Sequence, residues 1–177
     1  MKLDLKKIYK KRPFGELLIY LSIIILGIAV DQLTKFLAVR FLEPVGSVPI
    51  IKNVLHLTYV ENPGAAFGML KGAPWLFNTV SVLAVVIMSA FIFLGQSPNK
   101  LYGISLAMIV SGGIGNLIDR FTLKYVVDFI DFTLIDFAVF NGADSFVCVG
   151  AGLLILALIL DLINESKAIK NKGENDN

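Results

Sequence analysis

The sequence predicts an all-α membrane protein, with four transmembrane helices carrying a small extracytoplasmic β-sheet platform and both termini in the cytoplasm. Three observations predict it. Apolar residues fill 56% of the 177 positions and charged residues only 17%, with a mean hydropathy of +0.76, a balance outside that of ordinary soluble domains. Four apolar runs each come near the ~20 residues that a helix needs to cross the hydrocarbon core of a bilayer. One intervening segment replaces that pattern with β-branched residues and alternation, the mark of a short strand.

The first run covers 14–41, with an uncharged part at 17–30 that leads into Asp31 and Lys35. The basic start "MKLDLKKIYKKR" followed by an apolar stretch also fits a cleavable signal peptide. It continues, however, into "DQLTKFLAVR" instead of a small-residue cleavage site, so a retained span is expected. The second run, 73–94, and the third, 101–118, carry no charge, and the third ends at Asp119 and Arg120. The fourth, 140–160, contains only Asp144. Lysines before the first span and after the fourth place both ends inside by the positive-inside rule, together with the short link holding Lys100. Segments 42–72 and 119–139 then lie outside. Residues 1–167 form one four-span domain, and 168–177 form a polar cytoplasmic tail expected to lack order.

The outer segment alternates at Leu55, Leu57 and Tyr59, and "ENPGAAFG" breaks the strand with Pro63 and Gly64. Trp75, just before the second span, suits an interfacial anchor. A net charge of +2 without a basic patch excludes nucleic acid as a partner. The single cysteine, Cys148, excludes an internal disulfide framework, and no spacing of His, Cys and acids suggests a metal site. His56 stands alone between leucines and reads as a packed or interfacial side chain.

The topology sorts the polar residues. Asp31, Asn62, Asn116, Asp119, Arg120, Asp128, Asn141 and Asp144 all fall at the outer boundary, and this gathering is the strongest physical signal in the chain. An acid within an apolar run costs upward of about 2.5 kcal/mol, which makes Asp144 a functional candidate that needs a polar partner. It is also a first-turn acid favoured by the helix dipole, with Asn141 as its N-cap, and both roles are compatible. Asp128 lies in the strand-like "KYVVDFIDF", where Asp131 and nearby Asp136 are equal rivals on spacing alone. Asp31 and Lys35 form an i,i+4 pair whose simplest role is structural, worth a few tenths of a kcal/mol if exposed. The glycines of "SGGIGN" allow close helix packing.

Read together, "DQLTK", "ENPGAAFG", "GGIGNLIDR", "VVDF" and "FNGAD" on four spans resemble the lipoprotein signal peptidase (signal peptidase II) family, from Asp31 to the end of the fourth span. The resemblance implies an aspartyl protease of the bacterial inner membrane that works at the extracytoplasmic face. It would cut prolipoproteins before a cysteine carrying diacylglyceryl, without a cofactor or metal. Carried over to this chain, the catalytic pair is Asp128 and Asp144, and Asp131 and Asp136 drop out. The supporting positions are Asp31, Lys35, Asn62, Gly64, Ala65, Asn116, Asp119, Arg120 and Asn141. Gly142 and Ala138 depart from the commoner family residues and leave the loop before Asn141 open in shape. Membrane lipid, sensitivity to globomycin-type inhibitors and a monomeric state are further expectations. The competing sequence readings are a proton-coupled transporter using Asp31 and Asp144 as a relay, and a non-catalytic assembly protein packed through its glycines.

Overall fold

The computed structural model describes residues 13–64, 74–95 and 99–175. Its elements in order are α1 (Phe14–Phe41), β1 (Ser47–Ile51), β2 (Leu55–Asn62), α2 (Pro74–Phe93), α3 (Lys100–Thr122), β3 (Val126–Asp131), a 3-10 turn (Thr133–Ile135) and α4 (Gly142–Asn175). The four helices and the small sheet are those the sequence predicts. Among the described residues, α1, α3 and α4 as far as Lys167 are long and apolar enough to cross a membrane, while α2 contributes the shorter apolar stretch Asn78–Phe93. The chain is a multi-pass membrane protein.

Helix ends follow local chemistry more than hydropathy. α3 opens on Asn99, whose side chain accepts the backbone N–H groups of Leu101 and Tyr102, satisfying donors that otherwise face solvent. It then runs to Thr122, four residues beyond the predicted boundary, because Asp119 is not a terminus but a buried residue, 2% exposed. α4 begins at Gly142 and remains helical to Asn175, where the sequence predicts a tail without order.

α3 is the central helix, packed against α1, α2 and α4. Two glycines permit this. A Cβ at Gly112 would collide with the carbonyl oxygen of Ala143 on α4, and one at Gly115 with the carboxylate of Asp31 on α1. Small residues let backbones approach where lipid offers no hydrophobic drive for association. Toward the other end, Tyr20, Ile24, Ile92, Ala107 and Val110 make the buried apolar core.

The sheet has the order β1-β2-β3 and is antiparallel throughout. β3, predicted only as strand-like, is its third member, pairing Val60 with Asp128 and Asn62 with Val126. The last turns of α1 support it: Ala38, Leu42 and Val127 are buried together, with Leu57, Tyr59, Tyr125 and Phe129 packed on them. His56 sits within β2 opposite Pro49 and Asp131, as a packed side chain. Between α1 and the sheet an apolar groove of about 310 Å³ remains, lined by Leu37, Phe41, Leu57 and Phe129 among others.

These contacts predict that Gly112→Val, which drives a side chain into the α4 backbone, lowers stability by roughly 1–3 kcal/mol. Gly152→Ala, where a Cβ meets nothing within 4 Å, should instead be neutral or gain up to about 1 kcal/mol from helix propensity. Thermal unfolding of both variants in detergent separates the two.

Candidate active site

Asp31 and Lys35 lie one turn apart on the face of α1 that meets α3. Lys35 is 3% exposed and Asp31 1%, so the pair is not the weak surface contact its spacing suggests. The Lys35 ammonium has three protons and finds three acceptors: Asp31 Oδ2 at 2.9 Å, Asp119 Oδ2 at 3.0 Å and Asn116 Oδ1 at 2.9 Å. A buried cation is tolerated only when paired and hydrogen-bonded in this way.

The two acids extend the joint to other elements. Asp31 Oδ1 accepts the Ala143 backbone N–H at 2.8 Å, and so holds the α4 N-terminus, where an anion is favoured. Asp119 Oδ2 accepts the Val127 N–H at 3.1 Å, fixing the start of β3 one residue before Asp128. Gln32, absent from the sequence-derived site, closes the arrangement: its Nε2 donates to Asp119 Oδ1 at 3.0 Å, to the Gly115 carbonyl at 3.2 Å and to Asp31 Oδ2 at 3.3 Å. The signal available for it was a second polar residue beside Asp31 in "DQLTK".

Asp144 is the third residue of α4. Asn141 Oδ1 accepts the Asp144 N–H at 2.9 Å, and Asp144 Oδ2 accepts the Asn141 N–H at 3.2 Å, a reciprocal capping box with aspartate in the place usual for glutamate. The predicted N-cap is therefore observed. The second Asp144 oxygen, Oδ1, accepts from Asn116 Nδ2 at 2.8 Å. The half-buried carboxylate thus has an amide partner on each oxygen.

Asp128, in the middle of β3 and 2% exposed, receives Asn141 Nδ2 on Oδ1 at 2.6 Å and Asn62 Nδ2 on Oδ2 at 2.9 Å. Asn141 Nδ2 also donates to Asn116 Oδ1 at 3.1 Å. Asn141 and Asn116 consequently bridge the two aspartates, the first from the α4 cap and the second from α3. Asn62 is itself held by an Asx turn, its Oδ1 accepting Gly64 N–H at 3.1 Å; Ala65 lies outside the described residues. Arg120, half-buried on α3, lies within electrostatic range of Asp144, Asp128 and Asp119.

The rivals of Asp128 are elsewhere. Asp131 accepts the Thr58 hydroxyl at 2.7 Å at the far end of the sheet, and Asp136 ends the exposed 3-10 turn. Gly142 leaves ordinary van der Waals room, with Asp31 Oδ1 3.4 Å from a Cβ built there.

Burial pushes the Asp128 carboxyl up to about 6. The Asn62 hydrogen bond opposes this and the Asp144 charge reinforces it, while the Asn141 bond and the Lys35 charge oppose it. Burial thereby lets Asp128 hold its proton to a higher pH than an exposed carboxyl.

The family model for signal peptidase (SPase) II matches residues 23–160. The chain belongs to the signal peptidase II family. Curated relatives agree. The lipoprotein signal peptidase of Caldanaerobacter subterraneus subsp. tengcongensis is 52% identical over 136 residues, 76% of this chain and 92% of that protein. That of Clostridioides difficile is 45% identical over 143 residues, 80% and 95% of the two chains. A bacterial membrane enzyme solved in meso at 2.3 Å shares 31% identity with a TM-score of 0.76, covering 88% of this chain and 94% of its own. Membership of the signal peptidase II family makes this chain a protease, and all five sequence motifs fall within or across the matched region.

Two outcomes are expected from this geometry. The protonated Asp128 carboxyl should be visible by infrared spectroscopy with a midpoint at about 6, moving toward the ordinary carboxylate range in Asp144→Asn, which removes a charge that raises it. Because the fold raises this pKa, the stability it contributes is fully present below the unfolded value near 3.8 and is lost as pH rises through about 6. Lys35→Met, which strands two buried carboxylates, should lose roughly 3–5 kcal/mol in unfolding experiments, the range for breaking a buried ion pair.

Proposed function

We propose that this chain is a membrane aspartyl endopeptidase that removes the signal peptide from prolipoproteins, cleaving immediately before a cysteine that already carries diacylglyceryl. The observation that carries the reading is the pair of aspartates joined through Asn141 and Asn116, one fully buried with a raised pKa and the other half-exposed. Family membership supports it, and so does the name lipoprotein signal peptidase that the relatives carry.

The chemistry follows from two acids that share one proton. The ionised carboxylate takes a proton from a water molecule as it attacks the scissile carbonyl. The protonated carboxyl donates to the carbonyl oxygen and stabilises the tetrahedral intermediate. Proton return to the leaving amine resets the pair. The two pKa values belong to the pair and not to either residue, although burial favours Asp128 as the proton carrier in the free enzyme.

The surrounding residues hold this geometry. Asn141 and Asn116 fix the separation of the carboxylates, and Asn62 orients Asp128 from β2. Asp31, Lys35 and Asp119 lock the helices that present them. Arg120, with Gly64 and Ala65 on the outer segment, is assigned to the substrate backbone. The active site opens at the extracytoplasmic face of the cytoplasmic membrane, both termini are cytoplasmic, and the enzyme acts as a monomer without cofactor or metal. The sheet and "ENPGAAFG" grip the peptide above the cut, and globomycin-type inhibitors occupy the same site.

A gel-shift cleavage assay in detergent tests the proposal, with a diacylglyceryl-modified prolipoprotein and its unmodified form as substrates. Cleavage should be confined to the lipidated form and fall by roughly 10⁴-fold or more in Asp128→Asn and in Asp144→Asn, and by about 10²-fold in Asn141→Ala, which removes a positioning amide. Retained turnover in either aspartate variant would exclude the shared-proton mechanism.

A further inference from the structure

The segment between β3 and α4 carries large apolar side chains in the open. Leu134 is 67% exposed, Ile135 68% and Phe137 50%, and on the neighbouring edge strand Ile50 and Ile51 are 56% and 54% exposed. The segment lies beside the β1–β2 turn, where the Leu134 N–H approaches the Val54 carbonyl at 3.5 Å. A patch of this kind on a soluble surface would promote aggregation or mark an interface. Its depth identifies the partner.

Depth can be read along α1. Asp31 precedes Arg40 by nine residues, or roughly 13 Å at the helical rise. Since the Ala143 N–H meets Asp31 Oδ1 at 2.8 Å, α4 starts at that level, well below the exposed Arg40 and Phe41. Phe140 is held there too, by hydrogen bonds in both directions with Ile130 at 2.8 and 3.0 Å. Phe132 stacks on Phe140 and Phe137 meets it edge-on, both with ring centroids 5.9 Å apart. The whole turn is therefore folded down around Phe140 instead of rising away from the bundle.

We infer that residues 132–137 form a lipid-contacting finger sunk into the leaflet on the active-site side, with Leu134 and Ile135 against acyl chains and Ile50 and Ile51 continuing the contact along the sheet edge. Backbone that meets lipid must have its polar groups satisfied within the protein, and here the N–H groups of Leu134, Ile135, Asp136 and Phe137 meet the carbonyls of Val54, Phe132, Thr133 and Phe132. Exposed Asp136 at the end of the turn and exposed Lys52 in the β1–β2 turn keep the insertion shallow, their charges at headgroup level and the apolar side chains among the upper acyl chains. That the leaflet is the outer one rests on the proposed topology; the insertion rests only on the spans.

Depth-dependent quenching tests the inference without reference to activity. The sole tryptophan, Trp75, is replaced by phenylalanine, a single tryptophan is introduced as Leu134→Trp or Ile135→Trp, and the protein is reconstituted in phosphatidylcholine and phosphatidylglycerol vesicles. Emission should be blue-shifted and quenched several-fold more by lipids brominated on the upper acyl chain than by aqueous acrylamide. The wild-type protein should likewise take a lipid-borne diazirine label on the peptide holding 132–137. Red emission open to acrylamide and blind to bromine, or labelling confined to the helices, would overturn the finger, while cleavage of lipidated substrate by the same preparation reports separately on the peptidase.

Discussion

The architecture depends on one ammonium group. Lys35 is surrounded by Asp31, Asp119 and Asn116 at 2.9 to 3.0 Å, and each partner is committed elsewhere: Asp31 to the first turn of α4, Asp119 to the first residues of β3, and Asn116 to Asp144. Desolvating a cation and two anions is expensive, and replacement by apolar residues is often neutral or favourable for stability alone. What this cluster provides is register. Lipid tails are as apolar as the helix faces and leave sliding and rotation between helices weakly opposed, so interhelical polar contacts fix which turn meets which.

That register reaches the aspartates through short paths. Val127 is bound by Asp119 and Asp128 follows it in the chain; Ala143 is bound by Asp31 and Asp144 follows it. The positive charge also acts through Asn116, whose carbonyl oxygen accepts from Lys35 while its amide donates to Asp144. Polarising one end of an amide strengthens donation at the other. Lys35 therefore reaches the Asp144 carboxylate through Asn116 without touching it, while the donors to Asp128 are the amides of Asn62 and Asn141.

Much of this was legible in the sequence, for physical reasons that differ by residue. Among the described residues α1, α3 and α4 have the length that bilayer thickness demands, and Asn141 follows from the rule that a helix start needs an acceptor. The Asp31–Lys35 pair was visible only as a spacing, because a sequence shows which side chains share a helix face but not which helix covers that face. Its burial, and hence its importance, comes from Gly112 and Gly115, which bring α4 and α1 against α3. Gln32 was missed for the same reason. Asp128, Asp131 and Asp136 could not be ranked by spacing because strand periodicity says nothing about which end of the strand crosses the bundle. Past residue 168 the polar composition predicts a tail without order, and the helix runs on to Asn175, because a backbone already helical through a long span continues at small cost.

The two carboxylates linked through Asn141 and Asn116 stand on different kinds of element. Asp144 stands at a helix N-terminus, tied to its own cap and to the Asn116 amide. Asp128, within a strand shut against α1 by Ala38, Leu42 and Val127, has burial against it. If both acids lay on one helix face, they would share an environment and lose the asymmetry. The small sheet is thus more than a cover for the helix ends: it is the means by which a carboxyl is brought into the apolar layer on a backbone whose own hydrogen bonds are already satisfied. β2 completes that layer by pairing with β3 and supplying Asn62, so the element that shields Asp128 from water is also the one that orients it.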